Sequence, residues 1–593
     1  MQETLTIATP DHVDLEFDLA GLGSRFAAHV LDMLCLFGLF LGLVVVLGIT
    51  GLLAWQVPVA QESWVASWAI AALIVLFFLL QWGYFVGFEG LMQGQTPGKR
   101  WLGIRVLRDN GLPITWREAA LRNVVRAADM LPPPSYLLAG VVMHLDRHGR
   151  RLGDMVAGTV VVRERYASTT DTPAYTGWGA TWMTRLERGR SSSLTLPHGQ
   201  LSAAQLGLIE QFMQRRHTLP PARRHELARQ IVTPLLPLLG EEGPPAANDH
   251  EALLLKILAV ARNATDTTAD GADRRSGGAE KRRHWQQFLE TTQGLLRGRR
   301  RALQALTPEA LRAFITDYRR ITADLARGRS LGADTPTLAE LNRLVILGHN
   351  VLYGYLRPKA IGNPRIWYSR FPRAVRDNLW AVLLAAGLLL TPACISYFAA
   401  QWSSILAYDL VADDFFTFAP SDQEHLHHIP SLSRPIAASA IMTNNLQVTL
   451  LAFGLGLTAG LGTCVVLIYN GVHLGAIVGW LSLHGHSRAL WGWLMPHGAT
   501  EILAIILSGG AGLMLARAIL APGEVRRSTA LKRIAPRALD IELGCMLMLV
   551  VAGLIEGFVS PSGMPYAARL VILGASLCGW IVYLACAGTR RQP

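Results

Sequence analysis

Charged residues are scarce in this chain of 593 residues, at 17% of the sequence against 51% for hydrophobic residues. The mean hydropathy of +0.29 is too high for an ordinary soluble protein. This balance excludes that class and predicts a polytopic membrane protein with a soluble insert. Cysteine is also rare, with six residues and no CxxC pair, which argues against a disulfide framework and a thiolate zinc site.

The sequence motifs of several enzyme classes are missing. Walker, GxSxG and Rossmann patterns in a suitable context are absent, as is the HExxH motif of zincins. We therefore predict neither catalytic residues nor a cofactor. A signal peptide is missing too, because the first twenty residues are acidic and contain no apolar core. Alternation on both sides of Pro10-Asp11-His12 predicts a β-hairpin there, and the first spanning segment is expected to act as the insertion signal.

Acidic residues are fewer than basic residues. The formal net charge is +12, from 55 Lys and Arg against 43 Asp and Glu. The basic residues cluster beside apolar segments and in one central region, which predicts contact with anionic lipid headgroups at the cytoplasmic face rather than with nucleic acid. The positive-inside rule then places both termini in the cytoplasm and the chain in a bacterial inner membrane, which it crosses many times. The predicted fold class is a mostly α-helical membrane protein.

The first module, residues 1–165, contains two apolar segments long enough to span a bilayer as helices. They lie at about 28–54 and 65–88. The apolar stretch 127–145 contains three consecutive prolines, so we predict a re-entrant hairpin there, with a kinked full span as the alternative. Alternating residues at 102–106 and 159–162 predict a small cytoplasmic β-sheet.

The middle of the chain is predicted to be soluble. Residues 166–280 are interpreted as helices and linkers, with linker composition at 240–250 and 263–280. Residues 281–375 are predicted to form a cytoplasmic bundle of three helices. Two of these helices open with Thr-Pro pairs, because proline is favoured in the first helical turn.

The second membrane module, residues 376–588, is predicted to contain five or six spans. Five candidates are 378–400, 446–469, 497–519, 539–559 and 567–587. The basic loop 521–537 and the basic tail are both cytoplasmic only if one more crossing exists, which we assign to a short half-helix at 472–483. The loop 401–443 then lies outside. Its histidines permit metal ligation, although a solvated loop is the favoured interpretation; they are His425, His427 and His428.

Ionisable residues inside apolar segments mark the candidate site, because a charge at the bilayer centre costs at least about 2.5–3.5 kcal/mol. His497 and Glu501 are four residues apart and share a helix face, and Glu556 lies near the same end of the next, antiparallel helix. A structural polar lock is the favoured interpretation. A proton or cation site and a catalytic metal site are the alternatives.

Three asparagines flank the predicted span 446–469, and they are Asn444, Asn445 and Asn470. We expect them to cap the ends of that helix. The alternative is that they line a polar cavity together with His497 and Glu556.

A second polar set lies in the first module and includes Arg25, Asp32 and Asp129. Asp32 comes two helical turns after Arg25, which is too far for an ordinary i,i+4 pair. We therefore expect Arg122 or Arg126 to neutralise it across the helix bundle. Paired structural charges are the favoured interpretation, and a cation or proton relay is the alternative.

Residues 1–165 resemble the RDD family of small membrane domains. The matching residues are Gly23-Ser24-Arg25, Asp32, Thr96-Pro97-Gly98-Lys99, Arg122-Asn123, Asp129 and Arg151-Leu152-Gly153-Asp154. The resemblance adds Asp154 to the N-terminal polar set, and a relay of cations or protons has been suggested for some relatives.

Residues from about 282 to 588 resemble the stage II sporulation protein M family. In the membrane part, the matching residues are Asn444-Asn445, Asn470-Gly471, Pro496-His497-Gly498, Glu501, Gly510-Ala511-Gly512, Ile555-Glu556-Gly557-Phe558 and Ser560-Pro561. The resemblance implies MoxR-type AAA+ ATPases and von Willebrand A-type proteins as partners.

Three hypotheses follow for function. The leading one is a non-enzymatic scaffold of the cell envelope that associates with itself as a homo-oligomer. The second is a transporter of protons, cations or lipids that uses the intramembrane polar residues. The third is an intramembrane metal-dependent hydrolase.

Overall fold

The computed structural model describes most of the chain in twelve segments and a few short helical pieces between residues 205 and 257. The segments are 4–8, 14–55, 64–132, 136–164, 221–235, 281–296, 306–330, 335–354, 366–403, 434–485, 487–560 and 564–588. The described residues form two compact units, one of residues 1–165 with 324–593 and one of residues 166–323. Several predicted features lie outside the described residues: the linkers 240–250 (except His250) and 263–280, and His425, His427 and His428.

The N-terminal module opens with an antiparallel hairpin of β1 (Thr4–Ala8) and β2 (Asp14–Asp18). Two long helices follow, α1 (Leu22–Trp55) and α2 (Trp64–Leu91). The remaining elements are short: α3 (Pro97–Trp101), β3 (Ile104–Arg108), α4 (Trp116–Val124), α5 (Arg126–Asp129), α6 (Leu137–Leu145), α7 (Leu152–Ala157) and β4 (Thr159–Arg163). Strands β3 and β4 pair antiparallel, and a bridge between Leu19 and Val162 joins the two strand pairs. Both strand pairs predicted from the alternation are confirmed.

The two predicted spans of this module correspond to the candidate membrane segments Leu22–Val46 and Ser67–Leu91. Among the described residues 92–132 and 136–164, the longest helices have 9 residues. At about 1.5 Å per residue they cover less than half of a hydrocarbon core of about 30 Å. None of these helices can cross a bilayer by itself, and the re-entrant position of 127–145 stays a prediction.

The described part of the middle region includes the helices α8 (Pro221–Val232), α9 (281–296) and α10 (Pro308–Ser330). Within the unit of residues 166–323, Phe288 of α9 stacks on Phe314 of α10, with ring centroids 5.2 Å apart. The next helix, α11 (Thr335–Gly354), belongs to the other unit. There Asn342 donates to the backbone oxygen of Glu16 in β2 at 2.7 Å and accepts from its N–H at 3.2 Å. The boundary between the units falls inside α10, so the predicted three-helix bundle is divided between them.

The C-terminal membrane module follows a π-helical turn, Ile366–Arg370. Its helices are α12 (Phe371–Asp377), α13 (Leu379–Trp402), α14 (Arg434–Gly454), α15 (Leu461–Leu483), α16 (Ser487–Leu520), α17 (Arg527–Phe558) and α18 (Tyr566–Cys586). All but α12 are long and apolar enough to cross a membrane, which gives eight candidate spans among the described residues of the whole chain. The mostly α-helical, polytopic fold is therefore confirmed.

The predicted span 446–469 is wrong. Helix α14 ends at Gly454, and a short turn leads to Gly460, whose φ of +85° is readily adopted only by glycine. Helix α15 then runs a full span from Leu461, so the predicted half-helix 472–483 is the second part of that span. The apolar sequence continues through the turn, which is why hydropathy alone merged the end of one span with the start of the next. The described residues of this module contain six candidate spans, which is within the predicted five or six.

One hydrophobic core continues from the N-terminal module into the C-terminal module. It includes Phe78, Val125, Leu450, Leu507 and Leu539, all buried. The modules approach closely where α14 ends, because a Cβ added to Gly454 would lie 3.0 Å from the backbone oxygen of Val124. The two modules therefore share their packing within one compact unit.

Helices α13 and α15 pack backbone to backbone through glycines spaced four residues apart on α15. A Cβ added at Gly471, Gly475 or Gly479 would lie 2.0–2.6 Å from a carbonyl oxygen of α13. Small residues permit such close approach between membrane helices.

Candidate cation site in the C-terminal membrane module

Three ionisable side chains meet between α16 and α17. His497 and Glu501 lie one turn apart on α16, and Glu556 lies near the end of α17. One ligand atom from each lies within 4.8 Å of the other two. The exposed fractions are only 2%, 7% and 2%. The structure therefore brings together the three residues that the sequence singled out, at the end of the module opposite the basic loop 521–537.

Proline and glycine shape the helices around this cluster. Pro496 lies inside α16 and has no N–H, so the carbonyl of Gly492 loses its helical donor. Arg569 of α18 donates to that carbonyl at 2.6 Å. On α17, Gly553 and Gly557 allow close contact with α14, because an added Cβ would lie 2.8 Å from Met442 and 2.6 Å from Ala438 respectively. This contact places α14 beside the cluster.

The hydrogen bonds of the cluster orient its donor atoms. The Nδ1 atom of His497 lies 2.9 Å from Ser560 Oγ, and its Nε2 atom lies 3.9 Å from Glu556 Oε1. Asn445 of α14 hydrogen-bonds to the carboxylate of Glu501. The second oxygen of that carboxylate, Glu501 Oε1, is buried and has no hydrogen-bond partner among the described residues.

The donor set fits a cation. Two carboxylates in one buried site repel each other, and each loses hydration, so both effects oppose the doubly charged form. Imidazole and carboxylate together suit divalent ions such as Zn²⁺ and Mn²⁺. Bond lengths of about 2.0–2.2 Å require ligand atoms within about 4.4 Å of one another, which small side-chain movements from the present spacing would satisfy.

The predicted helix-capping role of the three asparagines is wrong, because all three lie inside helices. Asn445 contacts Glu501, whereas Asn470 of α15 donates to the backbone oxygen of Val466 in its own helix at 2.7 Å. Asn444 is exposed on α14. Because the true helix ends are displaced by the turn at Leu455–Gly460, residues expected at the ends of a helix lie near the middle of one.

A further buried carboxylate, Glu542 of α17, was missed in the sequence. It is 0% exposed, and one of its carboxylate oxygens accepts a hydrogen bond from Ser508. A signal was present, because Glu542 is an acidic residue within an apolar segment. Its hydroxyl donor, Ser508, lies on α16, and no spacing rule links the two residues.

The N-terminal polar set forms a separate network centred on Arg122. Its guanidinium pairs with Glu89 at 2.9 Å and with Asp154 at 2.8 Å. Arg25 also pairs with Asp154, at 3.4 Å, and Lys99 pairs with Glu89. Glu89 was missed in the sequence because it comes directly after the predicted span 65–88.

Asp129 extends the network through an ion pair with Arg151. The Nε atom of Arg151 lies 3.5 Å from the Asp129 carboxylate. Burial raises the pKa of Asp129 to about 6, although Arg151 opposes the shift. Burial also lowers the pKa of Lys99 to about 8, despite its pairing with Glu89. The pKa of Asp154 is lowered, because Arg122, Arg151 and Arg25 together outweigh the effect of burial.

Asp32 is not neutralised by either arginine that the sequence suggested. Its carboxylate accepts hydrogen bonds from Thr96 Oγ1 at 2.6 Å, Gly98 N at 2.8 Å and Tyr84 OH at 3.1 Å. Arg126 instead lies over the ring of Phe85, 3.6 Å from its centroid. The neutral donors come from α3 and α2, which pack against α1.

Comparison with known families supports the division into modules. Residues 19–158 match the RDD family, and residues 378–561 match the family "Stage II sporulation protein M". The second match is narrower than the resemblance over 282–588, because residues 279–354 match a separate domain of unknown function. An uncharacterized protein of Methanocaldococcus jannaschii is 27% identical over 154 residues, which cover 25% of this chain and 82% of that protein. No solved structure gave a significant match.

The order of the matches agrees with the order of the two membrane modules in the structure. The chain thus joins an RDD-family membrane domain to a stage II sporulation protein M-family membrane domain in one polypeptide.

Proposed function

We propose that this membrane protein binds a divalent cation at His497, Glu501 and Glu556, and that its work in the bacterial cell envelope depends on that ion. The observation that carries the proposal is the convergence of three buried donor atoms within 4.8 Å. When both carboxylates of such a buried pair are ionised, they require a compensating charge, and a bound cation supplies it.

The geometry favours an ion site over a purely structural polar lock. In a lock, each polar atom is satisfied by another protein group. Here Glu501 Oε1 has no hydrogen-bond donor among the described residues, and the other carboxylate lies in the same cluster. Glu542 Oε1 is also buried without a hydrogen-bond donor among the described residues, but it belongs to no group of three such ligands there, whereas Glu501 lies with His497 and Glu556.

The positive-inside rule supports an orientation with both termini in the cytoplasm of a bacterial inner membrane. The loop between α16 and α17 carries Arg526, Arg527, Lys532, Arg533 and Arg537. Because the cation site is at the opposite ends of these two helices, this orientation puts it in the outer half of the bilayer.

Metal binding by the purified full chain in lipid nanodiscs tests the proposal. Zn²⁺ and Mn²⁺ are titrated separately by calorimetry, and bound metal is measured after gel filtration. We expect about one ion per chain. Glu501→Gln and Glu556→Gln should each lower the affinity by at least about 10–100-fold, the range known for changes that only support metal ligands.

Glu542→Gln is the matched control, since it removes a second buried carboxylate of α17 outside the cluster. It should leave metal affinity unchanged. The proposal is wrong if the native chain binds neither ion, or if the control loses as much affinity as the two cluster variants.

A transport role has its own test. If the site serves transport, proteoliposomes with the native chain should show metal or proton flux that Glu501→Gln and Glu556→Gln abolish. If flux persists in both variants, the site does not serve transport, and the bound ion would have a structural role only.

An envelope scaffold is the second candidate, favoured by the continuous core that joins the two membrane modules into one compact unit. Such a rigid body suits the docking of other proteins. The MoxR-type ATPases and von Willebrand A-type proteins implied by the family resemblance are the proposed partners, and copurification of tagged chain with them provides the test.

A further inference from the structure

Helix α14 carries polar side chains on its outer surface at mid-membrane depth. Asn444 and Gln447 are both exposed, and they lie near the centre of the candidate span Pro435–Leu457. Neither amide is hydrogen-bonded to another residue that the structure describes. Lipid tails offer an amide no hydrogen bond, so this surface is costly as long as it faces lipid alone.

The exposed amides belong to a regular stripe. Its members are Ala437, Ala440, Asn444, Gln447 and Leu451. Their spacing alternates between three and four residues, which is the a/d spacing of a helix that packs along its length against a parallel partner. All five are exposed or half-buried, whereas Thr443, Leu446 and Leu450 on the other side of the helix are buried.

We propose that this stripe is the interface between two copies of the chain, with α14 of one copy packed against α14 of the other. This interface does not involve the cation site. Copies inserted by the same topology have the same orientation, so their α14 helices run parallel. In a symmetric parallel pair, each residue of the stripe then meets its own counterpart.

The chemistry of the stripe is self-complementary. A carboxamide both donates and accepts hydrogen bonds, so Asn444 can pair with the partner's Asn444, and Gln447 can pair likewise. The alanines allow the helices to approach closely. A polar residue at such a position also selects the register and number of helices. A lipid acyl chain matches none of these features, which is why a second copy is the occupant that we propose.

Subunit counting in liposomes tests the interface. The full chain is labelled, reconstituted at decreasing protein-to-lipid ratios, and scored for dimers by single-molecule photobleaching. We expect a dimer whose dissociation constant rises by about tenfold or more in the double variant Asn444→Leu with Gln447→Leu. Leucine is compatible with lipid, and retained metal binding or an unchanged thermal transition shows that this variant is folded.

Gln81→Leu is the matched control, because Gln81 is an exposed amide in the span of α2 and lies outside the stripe. It should leave the dissociation constant unchanged. A second variant, Ala440→Ile, should weaken the dimer by adding bulk where the helices approach. The interface is wrong if the native chain is monomeric at every dilution, or if the double variant associates as well as the native chain does.

Discussion

Arg122 shows how the buried charges of this protein are held. Its side chain is 2% exposed and is shared by two carboxylates that come from α2 and α7. A buried charge is tolerated only when it is paired, so the three side chains depend on one another. At this scale the sequence identified many of the right residues. The pairings were not predictable, because they depend on which helices face each other.

Replacing Arg122 by Gln should be strongly destabilising. The change leaves the buried carboxylates of Glu89 and Asp154 without the positive charge that they share. Removal of one partner from a buried ion pair typically costs about 3–5 kcal/mol. Arg122→Lys should be intermediate, since an ammonium group lacks the fork that reaches both acids. Unfolding in bicelles measures the free energy. Arg100→Gln, an exposed change on nearby α3, should have almost no effect, and an equal loss there would contradict the assignment.

Glycine decides the packing of α13 against α15. Gly475 is the tightest position, because an added Cβ would lie 2.0 Å from the backbone oxygen of Ala393. Hydropathy recognised both helices as membrane segments, but it misplaced the start of α15. The turn at Gly460 places the start of α15 at Leu461, so the glycines spaced four residues apart all lie on one face of a single helix.

The substitution Gly475→Ala should separate α13 from α15 and lower the free energy of unfolding by about 1–3 kcal/mol, as overpacked interiors generally do. Thermal unfolding in detergent provides the measurement. Gly387→Ala, on α13, is the control, because no atom lies within 4 Å of the added Cβ. It should be neutral or slightly stabilising, since alanine favours helix more than glycine does. Equal effects of the two changes would count against backbone contact.

At the scale of the whole molecule, ion pairs connect the two membrane modules. Arg117 of α4 donates to the backbone oxygen of Pro536 at 2.6 Å and pairs with Asp540 of α17 at 3.2 Å. The side chain of Asp540 is 10% exposed. Lys532 and Asp109 form a second, more exposed pair between the same modules.

A charge swap tests the connection between the modules. Asp540→Arg alone should destabilise the protein by placing two cations together, and adding Arg117→Glu should restore most of the loss. The expected coupling is about 0.5–3 kcal/mol, read from a double-mutant cycle on unfolding. Lys532→Gln should change stability by no more than about 1 kcal/mol, as is usual for exposed pairs. Additive effects of the two swapped charges would show that the pair does not couple the modules.

The amino-acid sequence by itself determined the class of protein, the two membrane modules, most of the spans and the His497, Glu501 and Glu556 set. These features depend on local composition and on residue spacing along one helix, and both can be determined from the sequence without knowing the fold. The tertiary structure alone decided that Asp32 is held by neutral donors, that Asn445 reaches Glu501 and that α14 ends at Gly454. Such contacts join residues from separate helices, and they are set by how closely the backbones approach.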